Sequence, residues 1–238
     1  MAGDAQASFR DAAGRESVAD LAAVTAEMLA AGRPWRVFRW RQGQAHYSGW
    51  YWSATTGGHV VYESRLELAR LLLADFDPRV TAIAAQPFLV TASAGGRVRR
   101  HVPDFLLVHG DGAVCVVNVK PADRLAVPKV AGALAWAGEV FAGRGWRHEI
   151  WSGAPPVLLV NVRFLSAYRH GDRVDADLAA AIAGQEAPGG VSVGELEKAW
   201  PAPAGDVRAA VLHLVWRGVF RADLSVPLSA ATWLERAA

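Results

Sequence analysis

Two strand-forming runs joined by one glycine-rich turn constrain this chain more than any other feature. Arg97 to Val108 is β-branched and alternating and ends at His109-Gly110-Asp111-Gly112, while Ala113 to Lys120 is almost pure Val with one Cys. Runs of this kind across a short turn read as a β-hairpin. If Val108 faces Ala113, Asp104 lies opposite Val117, and a one-residue bulge beside Pro103 turns Asp104 onto the face of Asn118. Asn118 and Lys120 share that face through the period-two alternation of strands. Strand interiors rarely hold Lys or Asn without a partner. An acid, an amide and a lysine at the end of an apolar hairpin therefore mark a candidate site. The plainer alternative is that the strand simply emerges into solvent at Asn118-Val119-Lys120.

A second acid comes from upstream. Residues 61–75 are strongly helix-forming and closed by Asp77-Pro78, with Glu63 and Glu67 one turn apart on one face. A leucine-rich helix with two carboxylates on one side aims them at something. A solvated face, with Glu67 paired to Arg70 at i+3, is the alternative.

Taken together, Glu67, Gln86-Pro87-Phe88, Pro103-Asp104 and Asn118-Val119-Lys120-Pro121 resemble the PD-(D/E)XK nuclease core. Within that superfamily, Tyr62-Glu63-Ser64-Arg65-Leu66-Glu67 with Phe76-Asp77-Pro78 and Gln86-Pro87-Phe88 is similar to the TnsA-like family, the endonuclease subunits of heteromeric transposases. The resemblance spans about residues 35–170. It implies an α/β, restriction-endonuclease-like mixed sheet flanked by helices. The helix acid falls at Glu67, the strand acid at Asp104 and the lysine at Lys120. The superfamily's central acid is replaced by Asn118, and Glu63 and Gln86 take auxiliary places. The resemblance also implies double-stranded DNA as substrate, with a second transposase subunit and an ATP-dependent regulator as partners.

These residue types suit phosphodiester hydrolysis, which needs charge neutralisation at the phosphate and a nucleophilic water near neutral pH. Mg2+, with Mn2+ as substitute, prefers carboxylate and carbonyl oxygens. Asp104, Glu67, the Asn118 amide and the Val119 carbonyl are the expected ligands, and Lys120 would position water and offset phosphate charge. Two formal negatives should hold metal more weakly than three. Loss of catalysis, leaving a nuclease-fold DNA-binding scaffold, is the alternative that Asn118 supports. A restriction or defence endonuclease is a third reading.

The chain has 238 residues, 52% hydrophobic, with a single cysteine and a formal net charge of +2. No apolar run reaches membrane-spanning length, and Met1-Ala2-Gly3-Asp4 lacks a signal-peptide start, so the expected location is cytoplasmic and nucleoid-associated. One cysteine excludes an internal disulfide. With so little net charge, any DNA surface must be local. Arg97, Arg99, Arg100 and His101 lead straight into Pro103-Asp104 and are the favoured DNA contacts, ahead of the aromatic and basic run at 35–41. Trp50-Tyr51-Trp52 followed by Ser53 to Gly58 predicts a hairpin packing aromatics on the core.

The expected organisation is an N-terminal arm and helix over 1–34, a nuclease domain over 35–170, a helical connector over 171–190 and a winged-helix-like module over 191–238. Residues 1–15 read as disordered and Val18 to Ala31 as a helix. A strand near Val80 to Val90 precedes the catalytic hairpin, and Pro128 to Gly143 is a helix. Arg147 to Ser152 reads as a strand, with helices after Pro155-Pro156 and from Asp175 to Gly184. In the last module Ser192-Val193-Gly194-Glu195 has capping-box form, Asp206 to Arg217 has helical spacing, and two short strands follow.

Overall fold

In the computed structural model, described for residues 5–36, 47–185 and 190–237, the chain divides into two compact units. Unit 1 comprises Met1–Asp75 and Arg79–Gly153; unit 2 comprises Phe76–Pro78 and Ala154–Ala238. The architecture is mixed α/β.

Unit 1 carries β1 (Gln6–Arg10), β2 (Glu16–Asp20), α1 (Ala26–Ala30), β3 (Gly49–Ser53), β4 (Gly58–Tyr62) and α2 (Arg65–Phe76), whose last residue belongs to unit 2. It continues with β5 (Val80–Ala85), β6 (Leu89–Ala94), β7 (Arg97–His101), β8 (Phe105–His109), β9 (Val114–Val119), α3 (Ala122–Leu125), α4 (Pro128–Gly143) and β10 (Arg147–Trp151). One antiparallel sheet has the order β2-β1-β6-β7, and a mixed sheet has the order β10-β9-β8-β5, in which β9 and β10 are parallel. Strand β9 is buried at every position, as expected of a central strand covered on both faces. On α4, Trp136, Ala137, Val140 and Phe141 recur at helical spacing and join Phe9, Phe88, Leu106 and Val116 in the core.

The structure corrects several expectations. The N-terminal segment is not an arm: β1 pairs with β6, and its Ala7 and Phe9 are core residues. Val18 to Ala31 is not one helix but the end of β2, a single 3-10 turn and the short α1. Val61 and Tyr62 belong to β4, and the helix starts at Arg65. In the β3–β4 hairpin only Tyr51 of the three aromatics is buried; Trp50 is largely exposed.

The largest correction concerns continuity. The runs Val80 to Val90 and Arg97 to Val108 are each broken in the middle, at Gln86-Pro87-Phe88 and at Val102-Pro103-Asp104. Each proline lacks the N–H a ladder needs, so the strand ends and restarts in the other sheet. The two crossings are stitched together by a 2.9 Å bond from the Gln86 N–H to the Asp104 carbonyl. The register of β8–β9 is also one residue from the expected one, with Val108 opposite Val114. Beyond Phe105–Val117 the ladder shifts: the Asp104 N–H donates to the Val117 carbonyl, so Asp104 and Phe105 both face Val117, an irregularity of one residue at the expected place beside Pro103.

Unit 2 holds α5 (Pro156–Leu165), α6 (Ala176–Gly184), β11 (Val191–Ser192), α7 (Val193–Ala199), α8 (Ala204–Trp216), β12 (Phe220–Ala222) and β13 (Trp233–Arg236). The sheet order is β11-β13-β12. The capping box is present: the Ser192 hydroxyl accepts the Glu195 N–H and the Glu195 carboxylate accepts the Ser192 N–H. Seven residues of α8 are buried, from Val207 to Trp216, which makes it the central helix of the unit. Asn161 of α5 donates to the carbonyls of Leu224 and Val226 and accepts from the Leu228 N–H. The contacts therefore change sides after Gly153, not at 170, and the 191–238 segment shares its unit with α5 and α6. The expected linker at 186–189 lies outside the described residues.

Candidate active site at the strand crossings

Asp104 sits where β7 gives way to β8. Its N–H donates to the Val117 carbonyl, and its Oδ2 accepts the Val119 N–H at 2.7 Å. The Lys120 ammonium lies 3.4 Å from the same Oδ2 and 2.9 Å from the Val119 carbonyl. Asp104, Val119 and Lys120 are thus gathered as expected. The lysine fills the space between two of the oxygens assigned to a metal.

Glu67 enters on α2. Its Oε2 accepts the Glu63 N–H at 2.7 Å, and its Oε1 is 3.1 Å from the Ser64 hydroxyl, which accepts the Glu67 N–H. This is nearly a capping box, displaced one residue at the reach-back bond. The carboxyl is buried, and its pKa is raised to about 7: burial is the chief cause, the negative charges of Asp104 and Glu63 add to it, and the Glu63 N–H and Ser64 hydroxyl oppose it. A helix cap alone gains from a charged carboxylate. One held near half-protonation beside a second acid is the pattern of a functional site. The Glu67–Arg70 pair does not form; Arg70 makes a bidentate pair with Glu149 on β10, both contacts 2.8 Å. Glu63 pairs with Arg36 at 2.9 Å.

Asn118 is fully buried and engages different groups. Its Oδ1 lies 3.0 Å from Nε2 of His101 on β7 and 3.0 Å from Nε2 of His148 on β10. No hydrogen bond among the described residues joins it to Asp104, Glu67 or Lys120. Val114 and Val116 point with Asn118 toward the α4 core, while Cys115 contacts Glu149 on the side held by Arg70 of α2. The motif strand is therefore flanked by α2 with Glu67 on one face and by the histidine pair on the other. Burial lowers both histidine pKa values; at His101 the Asn118 bond and Asp104 oppose it while Lys120 and Arg36 add to it. His101 is thus a wall of the site, not an exposed DNA contact. His148 was not legible in the sequence, because only the parallel pairing that sets it opposite Val116 carries it to Asn118.

Two side-chain atoms among the described residues are buried without any hydrogen-bond partner: Gln86 Oε1 and Asn118 Nδ2. Both flank Asp104, Gln86 through its N–H and Asn118 through the neighbouring Val119. An orphaned buried polar group costs about 1–3 kcal/mol. Gln86 also has φ +46, the only positive value outside glycine among the described residues. Such strain costs on the order of 1–3 kcal/mol and clusters where a site demands it. A half-turn of the Asn118 amide would let Nδ2 donate one proton to each imidazole and free Oδ1 as an acceptor. Among the described residues, no three His, Cys, Asp or Glu side chains form a ready-made metal cluster. Any cation must rely on Asp104, Glu67 and neutral oxygens.

Of the expected DNA contacts, Arg97, Arg99 and Arg100 lie exposed on β7. Of the run at 35–41, residues 37–41 fall outside the described residues. No described helix is long and apolar enough to cross a membrane. No family profile matches the sequence, and neither does any curated protein.

Proposed function

We propose that this chain is a divalent-metal-dependent DNA endonuclease of the PD-(D/E)XK type, a TnsA-like subunit that cuts phosphodiester bonds at transposon ends. One observation carries the reading. The only two orphaned buried side-chain atoms among the described residues, together with a strained Gln86 and a carboxyl raised to about 7, surround the one aspartate that binds the motif lysine. Fold stability gains nothing from that combination; a site that receives a ligand does.

The donor set fits a hard cation. Asp104, Glu67, the Val119 carbonyl and the turned amide of Asn118 would hold Mg2+ or Mn2+, which neutralises phosphate charge and acidifies bound water. Lys120 must leave the Val119 carbonyl for that oxygen to act, and this frees its ammonium for the phosphate or the attacking water. His101 and His148 fix the amide plane of Asn118. In this reading unit 1 is the restriction-endonuclease-like domain. The end of unit 2 is a winged-helix-like module in which Arg208 pairs with Glu197 and His213 with the Tyr168 carbonyl. That internal use, and the burial of α8, favour docking of a partner transposase subunit over direct DNA reading.

The test is cleavage of supercoiled plasmid and labelled transposon ends, with any required partner subunit and ATP-dependent regulator present. Nicking should need Mg2+ or Mn2+, stop with chelator and vanish in Asp104→Ala. Cutting that continues in excess chelator would overturn the reading. The clamped amide of Asn118 favours one second reading, a nuclease-fold scaffold, for which Asp104→Ala changes no cut.

A further inference from the structure

The β6–β7 hairpin has more strand than its sheet uses. Pairing of β1 with β6 ends at Thr91, whereas β6 and β7 stay paired through Ala92–Arg99, Ser93–Val98 and Ala94–Arg97. The hairpin closes at Gly95-Gly96, with φ +58 and +70, and an added Cβ at either glycine would meet nothing within 4 Å. Positive φ at both positions is the tight turn that matches strand twist. Three residue pairs therefore continue past the last β1 pairing; Ala92 is still a core residue and Ala94 packs against the core, so the free part is the Gly95-Gly96 tip and the exposed β7 edge.

The composition of this hairpin is one-sided. Its β6 strand ends in Ala92-Ser93-Ala94, of which Ala92 is buried, and its β7 strand reads Arg97-Val98-Arg99, followed by Arg100 opposite Thr91; these four β7 residues are exposed. None of the three arginines joins an ion pair among the described residues; Arg99 only reaches the Gly132 carbonyl at 3.5 Å. From Pro78 to Pro103 the sequence holds four arginines and no acid, in a chain whose overall charge is only +2. Unpaired guanidinium groups on an exposed edge strand call for a polyanion. Small side chains on the facing strand keep the ribbon thin, and a two-stranded ribbon fits the major groove of B-DNA, about 12 Å wide.

We propose that the tip of the β6–β7 hairpin enters the major groove of the duplex beside the cut, with Arg97, Arg99 and Arg100 of its exposed edge on the phosphates. This rests on the endonuclease reading of the neighbouring site. Arg97 and Arg99 alternate on one face with His101, which closes the site, so that face leads from the ribbon tip to Asp104. Arg97 lies seven residues from Asp104, at most about 23 Å of extended strand. At about 3.4 Å per base pair, the tip engages DNA within roughly seven base pairs of the scissile bond.

The experiment measures binding of a 30-base-pair duplex in chelator, from about 50 to 200 mM salt, and then Mg2+-dependent cleavage. It compares the full chain with R97Q/R99Q/R100Q and R97K/R99K/R100K. Three lost phosphate contacts should lower the slope of log affinity against log salt by about 2 to 3, and the lysine variant should keep most of it. An unchanged slope in the glutamine variant overturns the ribbon, as does an equal loss in the lysine variant. Binding that depends on the ribbon in a chain that never cuts overturns the endonuclease and leaves the ribbon standing. No DNA binding by the unaltered chain overturns both.

Discussion

Asp75, near the end of α2, holds the β3–β4 loop through four hydrogen bonds to a carboxylate that is 5% exposed. Oδ2 accepts the Tyr51 hydroxyl at 2.6 Å and the Ala54 N–H at 3.1 Å; Oδ1 accepts the Ser53 hydroxyl at 2.6 Å and the Thr55 N–H at 2.8 Å. In Asp75→Ala the two hydroxyls can rotate toward other acceptors, but the two N–H groups cannot. Bonds to a charged acceptor contribute about 1.5–3 kcal/mol each, and partial relaxation brings the expected net loss to about 3–5 kcal/mol. Asp75→Asn keeps one oxygen and turns an amide against two donors, which strands one backbone N–H and costs about 2–3 kcal/mol. Urea unfolding followed by tryptophan fluorescence reads both, provided the transition of unit 1 is resolved from that of unit 2. Nuclease activity should fall with stability, because α2 carries Glu67 at its other end. A loss below about 1 kcal/mol in Asp75→Ala would show that solvent satisfies these donors and that the loop is not held by this carboxylate.

Lys120→Ala should lower the cleavage rate on the order of a hundredfold or more while DNA affinity changes far less, as single-turnover rates and binding titrations would show; equal rates would end its catalytic role. Asn118→Asp places a carboxylate between two imidazoles and should tighten Mg2+ binding in calorimetry without abolishing cleavage; weaker binding contradicts the assignment of Asn118. For Glu67 in chelator, the raised folded pKa makes its contribution complete below about 4.5 and lost as pH climbs through about 7. The unaltered chain should therefore lose about 3 kcal/mol across that window relative to Glu67→Gln, and parallel denaturation curves would refute it. Asn161→Ala removes three buried bonds and should destabilise unit 2 by about 2–4 kcal/mol, while a chain ending at Gly190 should be insoluble through its exposed α5 and α6; a folded truncation would restore the boundary expected at the 188–190 linker.

Local chemistry was legible where the signal is local. Pro128 opens α4 and Gly143 ends it as expected, and the capping box at Ser192 starts α7 at the expected place. The hairpin turn at His109 to Gly112 was legible too, but its register was one residue off, because turn length fixes register and the sequence does not state turn length. Within Arg97 to Val108 the polar run Arg99-Arg100-His101 gives way to the apolar Phe105-Leu106-Leu107-Val108, and that shift, with Pro103 between them, is the only mark the change of sheet leaves in the sequence. The convergence of Asp104 and Lys120 was readable from strand spacing. The attachment of Asn118 to His101 and His148 was not, since it depends on a switched strand and a parallel neighbour. Likewise Asp75 looked like the tail of a helix, because its four donors lie 20 or more residues away.

The doubled crossing at Gln86 and Asp104 has a consequence for how this chain can change length. Deleting or adding one residue on either side of the crossing would turn every later side chain of that strand to the opposite face, scrambling both sheets along with the site. At the Gly95-Gly96 tip, by contrast, residues can be added in pairs, one to each strand, without moving Gln86, Asp104 or the core contacts of Ala92 and Ala94. The hairpin is thus an adjustable arm on a fixed pivot. Divergent versions of this protein should differ there by even numbers of residues while the spacing from Asp104 to Lys120 stays constant.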